Sequence, residues 1–153
     1  MKHILIAGDH AAIDLKAAIV TQLKADGFTI EDFGPFTTES VDYPDFANKV
    51  CEKIKPDDTS NEPDTFGILV CGSGQGMAMR ANKFKHIRAA LLHSDEIAKL
   101  AKEHNNANVI CMGSRFTTAE QANKWIKLFM EAKFSEGRHT LRVAKISENP
   151  SYC

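Results

Sequence analysis

The chain has 153 residues, of which 43% are hydrophobic and 25% are charged, and its formal net charge is -1. Such values are typical of one globular domain over residues 1–153, and they give no electrostatic reason to expect a nucleic-acid partner. The N-terminus has no signal-peptide core and no apolar run approaches the ~18 residues of a membrane span, so we expect a cytoplasmic protein with no membrane partner.

The first half of the chain predicts strands that alternate with helices. A compact apolar run at 4–7 predicts the first strand, and apolar residues at helical spacing from Ala12 predict a helix that ends at Gly27. Residues 28–33 predict a second strand. The proline of D-Y-P, at 42–44, suits the first turn of the next helix.

The middle of the chain centres on a third strand at 66–70. A polar, acidic stretch at 56–64 precedes it and predicts a surface loop. The elements expected after it are a short helix at 77–84, a strand at 87–92, a helix with the apolar stripe Ile97, Leu100, Ala101 and His104, and a strand at 109–112.

Two further helices are predicted in the C-terminal part. A capping box, either Thr117–Glu120 or Thr118–Gln121, begins the first of them. The second follows Gly137, and its Arg138 and Arg142 share one face because they are spaced i,i+4. The lysines and glutamates along the chain are expected on solvated helix faces.

Short apolar strands that alternate with helices predict an α/β fold. We expect a three-layer sandwich with a five-stranded parallel sheet, Rossmann-like or flavodoxin-like, and a C-terminal helix. Ligands of such sheets bind beyond the carboxyl ends of the strands. Three polar segments directly follow predicted strands and can border one crevice: Asp9-His10, residues 71–76 and Ser114-Arg115.

The segment at 71–76, C-G-S-G-Q-G, carries the clearest chemical signal. Gly72, Gly74 and Gly76 let the backbone approach a ligand, so that N–H groups near a helix N-terminus can converge on an anion. A thiol beside such donors, here Cys71, is favoured as the reactive thiolate. The loop thus offers a base or nucleophile with an anion cradle, although a tight turn with a buried cysteine also fits.

The other cysteines, Cys51, Cys111 and Cys153, lie far from Cys71 and from one another in the sequence. No pair has C-x-x-C spacing, which argues against a zinc site, a thioredoxin-type motif and a disulfide framework. We therefore expect free thiols and no metal, with Cys51 packed on a helix face.

Several polar positions also have structural interpretations. Asp9 or His10 can cap the first helix, and His104 can interact with a helix dipole or lie half-buried. Arg138 and Arg142 can form a fork for a phosphate or carboxylate, or can simply be a solvated basic face.

Six motifs follow one another along the chain: G-D-H, D-Y-P, C-G-S-G-Q-G with A-N-K, H-N-x-x-N-V, G-S-R and G-R-H-x-x-R. In this order they resemble ribose-5-phosphate isomerase type B and its sugar-phosphate isomerase relatives, over residues 4–146. The resemblance implies reversible conversion of D-ribose 5-phosphate to D-ribulose 5-phosphate through an enediolate. It also implies a place in the pentose phosphate pathway and a reaction without a metal or an organic cofactor.

The resemblance also implies roles for individual residues. Cys71 is the expected base, His104 with Asp9 is expected to open the sugar ring, and Ser73 with the loop amides is expected to stabilise the enediolate. In this family the site lies between two subunits, with His104 and the C-terminal arginines supplied by the partner, so a homodimer, or a tetramer of two dimers, is implied. The expected substrate contacts are His10, Tyr43, Gly72, Gly74, Gly76, Asn105, Arg115, Arg138 and Arg142, with the phosphate at His10 and the arginines.

Two positions depart from the family pattern. Ser73 stands where threonine is common, and Glu136 stands where a glycine is frequent. Isomerisation of six-carbon sugar phosphates, a noncatalytic phosphosugar- or nucleotide-binding module and a thiol redox protein that pairs Cys71 with Cys111 are the alternative functions.

Overall fold

The computed structural model describes residues 3–56 and 65–148, so the acidic loop predicted at 56–64 lies, apart from Pro56, outside the described residues. Each predicted helix and strand is present, with ends shifted by a few residues. In chain order they are β1 His3–Gly8, α1 Ile13–Ala25, β2 Thr29–Asp32, α2 Tyr43–Cys51, β3 Thr65–Cys71, α3 Gln75–Ala81, β4 Ala89–Leu91, α4 Asp95–Glu103, β5 Val109–Gly113, α5 Ala119–Glu131 and α6 Arg138–Ile146.

The sheet has five strands in the order β2-β1-β3-β5-β4, and each neighbouring pair is parallel. The predicted α/β sandwich is therefore confirmed. The order departs from the flavodoxin order 2-1-3-4-5 at its last two strands, because β5 inserts between β3 and β4. This insertion brings the carboxyl end of β5 beside that of β3, which ends at Cys71.

Helices cover both faces of the sheet. One hydrophobic cluster joins the sheet to α1, α4 and α5, and a second joins it to α2 and α3. Because β1, β3 and β5 are buried on both faces, they read as continuous apolar runs without polar alternation. Within the described ranges, no helix is long and apolar enough to span a membrane.

The capping box of α5 is formed by the second of the two predicted pairs. Thr118 Oγ1 accepts the N–H of Gln121 at 3.2 Å, and the Gln121 side chain accepts the N–H of Thr118 at 2.9 Å. Two backbone donors that have no intrahelical partner are thereby satisfied.

The predicted stripe on α4 is partly wrong. Its buried residues are Ala98, Ala101 and Lys102, whereas Ile97 and Leu100 are only partly buried. Ala98 and Ala101 belong to the first hydrophobic cluster, and Lys102 tolerates burial because its ammonium donates to Asn106 Oδ1 at 2.6 Å. The expectation of solvated lysines therefore fails at Lys102.

Candidate active site

The loop after β3 places a backbone donor against a thiol. Gly74 has φ +77°, in the left-handed region, and its N–H donates to Cys71 Sγ at 3.1 Å. A side chain at Gly74 would come within 2.5 Å of Leu91 Cδ1 and 2.8 Å of the Met112 carbonyl carbon, so the position requires glycine. An N–H at this distance can bond a thiolate sulfur, the state in which cysteine acts as a base.

Cys71 differs from the two other cysteines that the structure describes. Burial raises the pKa of Cys51 to about 12 and that of Cys111 well above its usual range, so both stay protonated. Cys71 is also buried, but it differs in position because it ends β3, beside the loop. Its partner in the sheet is Gly113, while Leu69 pairs with Cys111. This diagonal offset puts the Cα atoms of Cys71 and Cys111 about 8 Å apart, beyond the reach of a disulfide.

The turn after β1 holds Asp9 and His10 at the same edge of the sheet. Asp9 is buried, and its Oδ1 accepts the N–H of Ala11 at 2.9 Å. Neither residue caps α1, which begins at Ile13 with no side-chain cap. His10 Nδ1 accepts the N–H of Val41 at 3.3 Å, which leaves the proton of the neutral ring on Nε2, available to a ligand.

Tyr43 and Arg115 lie against the glycine loop from two sides. A Cβ at Gly76 would be 2.5 Å from Tyr43 Cζ and 2.8 Å from its hydroxyl oxygen, so the ring lies directly on the loop backbone. The Arg115 guanidinium carbon would be 3.4 Å from a Cβ at Gly72. The backbone N–H of Arg115 donates to the carbonyl of Gly72 at 3.1 Å. A tyrosine hydroxyl and a fixed cation thus border the loop.

Gly113 and Ser114 of the G-S-R motif join the strand ends. The sequence predicted that Ser114 borders the crevice, but neither residue was predicted to contact the substrate. The Ser114 hydroxyl donates to the carbonyl of Ala11 at 2.8 Å, and the backbone N–H of Ser114 donates to the carbonyl of Cys71, also at 2.8 Å. A side chain at Gly113 would come within 2.7 Å of the Ser73 carbonyl carbon. The motif was visible in the sequence, but its cross-loop bonds depend on the sheet order.

Ser73 is exposed at the tip of the loop, where its hydroxyl accepts the N–H of Gln75 at 3.4 Å. The structure therefore brings most of the predicted site residues together at the carboxyl edge of the sheet. They are Asp9, His10, Tyr43, Cys71, Gly72, Ser73, Gly74, Gly76 and Arg115.

His104 lies at the opposite edge. It follows the last residue of α4, a helix that begins after the carboxyl end of β4 and runs back to the start of β5 at Val109. The five residues of β5 separate the two edges by about 13 Å. His104 is half-buried, and its ring stacks on His139 with centroids 4.3 Å apart and an interplanar angle of 10°.

The remaining predicted residues belong to this second edge. Asn105 follows His104 and is exposed, as are Arg138 and Arg142 on α6. The chain before α6 is tied to α4 by a bond from the Ser135 N–H to the Glu103 carbonyl at 2.8 Å. One chain therefore carries the predicted site residues in two separate groups. We call them the amino-edge half-site, for these four residues, and the carboxyl-edge half-site, for the group around Cys71.

A buried ion pair supports the carboxyl-edge half-site and was missed in the sequence. Lys16, 3% exposed, donates to both carboxylate oxygens of Asp32 at 2.6 and 2.7 Å. Asp32 also accepts the N–H of Gly34, whose carbonyl accepts the N–H of Gly8, both at 2.9 Å. The pair thus holds the loop after β2 against the end of β1. Lys16 falls one turn after Ala12 on the buried stripe of α1, which was the available signal.

The H-N-x-x-N-V motif is partly structural. Asn108 Oδ1 accepts the N–H of Arg88 and its Nδ2 donates to the carbonyl of His86, each at 2.8 Å. This asparagine fixes the segment before β4. Across residues 3–56 and 65–148, no group of three or more histidine, cysteine, aspartate or glutamate side chains is placed to hold a metal ion.

The chain matches a known protein family over most of its length. Residues 4–146 match the family model described as Ribose/Galactose Isomerase. The probable ribose-5-phosphate isomerase B of Mycoplasma genitalium is 43% identical over 145 residues, which are 94% of this chain and 93% of that protein.

Solved structures agree with the sequence matches. The crystal structure of a ribose 5-phosphate isomerase B from Thermotoga maritima has a TM-score of 0.89 and 44% identity, covering 97% of this chain and 99% of that one. The Mycoplasma genitalium ribose-5-phosphate isomerase B with bound ribulose-5-phosphate has a TM-score of 0.87 and 42% identity, covering 95% and 93%. This chain therefore belongs to the ribose/galactose isomerase family.

Proposed function

We propose that this protein catalyses the reversible isomerisation of D-ribose 5-phosphate to D-ribulose 5-phosphate through an enediolate, with Cys71 as the base. The observation that carries the proposal is the strand-end thiol of Cys71, 3.1 Å from the Gly74 N–H, in a chain of this family. Relatives with the same activity in their names support the choice of substrate.

The proton transfer follows from the position of the thiol. A carbon next to a carbonyl is acidic enough to lose a proton to a correctly placed base, and the Cys71 thiolate would carry that proton between C2 and C1. Negative charge then develops on the enediolate oxygens. The N–H groups of Gly72, Ser73 and Gly76, with the Ser73 hydroxyl, would donate to them, while the N–H of Gly74 donates to Cys71 Sγ.

Ring opening and phosphate binding require the second half-site. We assign ring opening to His104 with Asp9, and phosphate binding to His10, Arg115, Arg138 and Arg142. Because His104 and Cys71 lie at opposite edges of one sheet, the complete site would form between two chains of a homodimer, or of a tetramer of two dimers. Tyr43 and Asn105 would complete the sugar pocket.

A six-carbon sugar phosphate is the second candidate substrate, because the family description names galactose beside ribose. The glycine loop and its thiol serve either sugar, since both react at C1 and C2. A cytoplasmic location fits the free thiols at Cys51, Cys71 and Cys111.

Turnover of D-ribose 5-phosphate, D-allose 6-phosphate and D-galactose 6-phosphate at matched concentrations, with a chelator present, tests the proposal. Chelator-resistant turnover that favours the ribose phosphate is the expected result. Turnover of only a six-carbon substrate would keep the mechanism and change the substrate. Binding without turnover of any of the three would contradict the enzyme and favour a phosphosugar-binding module.

A further inference from the structure

His139 has no role in the site described so far, although it is the most enclosed residue of its helix. Of the residues of α6, all of which the structure describes, only His139 is buried. The apolar Leu141 and Ile146 are 65% and 52% exposed. The residue of α6 most enclosed by its own chain is therefore an imidazole ring, although a leucine would bury more apolar area.

The contact that buries His139 is specific. Its ring lies parallel to that of His104, with centroids 4.3 Å apart and 10° between the planes. Face-to-face stacking restricts rotation of both side chains and fixes the plane in which the His104 nitrogens lie. His104 itself follows the last turn of α4, where no helical neighbour continues beyond it to hold the side chain.

Charge also distinguishes the two rings. Burial lowers the pKa of His139, and the charges of His104, Arg138 and Arg142 lower it further. His139 therefore stays neutral near pH 7, and a proton gained by His104 meets no second positive charge in the stacked ring.

We propose that His139 is a positioning residue for ring opening: its stacked ring orients His104, the residue that handles the proton of the furanose oxygen. This inference rests on the proposed function. In ring opening, the C1 hydroxyl loses a proton, the bond between C1 and the ring oxygen breaks, a C1 carbonyl forms, and the ring oxygen gains a proton. A neutral aromatic ring at position 139 suffices for the role.

The reaction offers a measurement that separates ring opening from enolisation. Ribulose 5-phosphate cannot close a five-membered ring, because its 5-hydroxyl carries the phosphate. Exchange of its C1 hydrogen with deuterium from D₂O thus reports proton abstraction alone, whereas turnover of ribose 5-phosphate needs both steps.

The test compares His139→Leu, which lacks a ring, with His139→Phe, which keeps one. We expect His139→Leu to lower kcat for ribose 5-phosphate by about tenfold or more and to leave the rate of C1 exchange within roughly twofold of wild type. His139→Phe should retain most of both activities. His104→Asn should lower kcat for ribose 5-phosphate more than His139→Leu does, and should likewise leave C1 exchange nearly unchanged. His139→Gln serves as a second ring-free variant if Leu does not fold.

Any of three outcomes in the His139 variants would overturn the inference: wild-type turnover in a ring-free variant, equal losses in His139→Phe and a folded ring-free variant, or loss of C1 exchange in step with turnover. Loss of ribose 5-phosphate turnover in the wild type would instead contradict the proposed function. Full turnover in His104→Asn would remove the residue that His139 is proposed to orient, and so would also overturn the inference.

Discussion

His104 and Cys71 lie at opposite edges of the sheet of one chain. Cys71 ends β3, and His104 follows α4, which returns the chain to the start of β5. No rotation of a side chain spans the length of β5, about 13 Å. Chemistry that uses both residues on one sugar therefore needs two chains.

Mixing two inactive variants tests this arrangement. Cys71→Ala destroys the carboxyl-edge half-site and His104→Asn the amino-edge half-site, so a mixed dimer keeps one intact site. Random exchange of subunits should recover roughly a quarter of wild-type turnover, because half of the dimers are mixed and each has one working site of two.

The matched control mixes Cys71→Ala with Asp9→Asn, two changes in the same half-site. Every site in that mixture carries one defect, so turnover should stay at the level of the separate variants. If verified subunit exchange recovered no activity in the first mixture, the shared site would be wrong.

Cys71 should be required for proton transfer but not for binding. In Cys71→Ala we expect kcat to fall by ~10³-fold or more, since the base is lost, while the phosphate contacts keep affinity for ribose 5-phosphate within a few-fold. Calorimetric titration and a coupled assay measure the two quantities. Cys111→Ala removes a thiol that burial keeps protonated, and near-wild-type kcat is expected there. Substantial turnover in Cys71→Ala would assign the base to another residue.

Much of the fold was predictable because its signals are local. Apolar runs, helical spacing and the glycines at 72–76 lie within a few residues of one another, and the structure confirms the strands and the loop. The choice between two capping boxes was not predictable, because Thr118 and Thr117 offer the same chemistry. Sheet order was also beyond the sequence, since insertion of β5 between β3 and β4 is set by long-range packing.

The supporting residues of the site were harder to predict than the loop itself. Lys16 and Asp32 are 16 positions apart, and their pairing appears only when α1 packs beside β2. His139 was visible as part of a motif, but its stacking on His104 requires the placement of α6. At Glu136, where the family resemblance favours glycine, φ is +52°, a conformation that glycine adopts without strain.

Gly74 should tolerate alanine poorly, for two physical reasons. Its φ of +77° is strained for any residue with a Cβ, and that Cβ would lie 2.5 Å from Leu91 Cδ1. We expect Gly74→Ala to lower the free energy of unfolding by about 2–5 kcal/mol, from strain of about 1–2 and overpacking of about 1–3.

Gly27 supplies the matched control for Gly74. It has φ +87°, but a Cβ there meets nothing within 4 Å. Gly27→Ala should therefore cost only the strain, about 1–2 kcal/mol, in urea unfolding. Equal decreases in unfolding free energy for the two variants would show that Leu91 moves away from a Cβ at position 74 at little cost.

His139 should make the free energy of unfolding decrease as the pH falls below neutrality. Burial, followed by His104, Arg138 and Arg142, lowers its pKa in the folded protein. Below the ordinary histidine pKa of about 6.5, the unfolded chain therefore binds a proton that the folded chain does not, and the free energy of unfolding declines. Urea unfolding between about pH 5 and 7.5 should show a smaller decline in His139→Phe than in wild type. An equal decline would mean that His139 titrates alike in both states.

Removing only the lysine of the Lys16–Asp32 pair should lower the free energy of unfolding more than replacing both residues with apolar ones. Lys16→Met leaves the Asp32 carboxylate, with a side chain 21% exposed, without its ammonium partner, and should cost about 2–4 kcal/mol of unfolding free energy. Lys16→Met with Asp32→Leu removes both charges, so it should recover part of that loss. Lys53→Met is the control, because its contact with Glu31 is 4.0 Å long and exposed, worth about 0.5 kcal/mol or less.

The Lys16–Asp32 pair should also affect substrate binding, because it holds the loop after β2. Val41, in that loop, donates its N–H to His10 Nδ1, so a loosened loop would free the His10 ring to turn away from the proposed phosphate site. We expect the double variant to raise KM for ribose 5-phosphate by about tenfold with kcat within roughly threefold, since the ground-state and transition-state complexes lose the same phosphate contact. An unchanged KM in a variant that folds normally would limit Lys16 and Asp32 to stability, and would separate the fold of this loop from the position of His10.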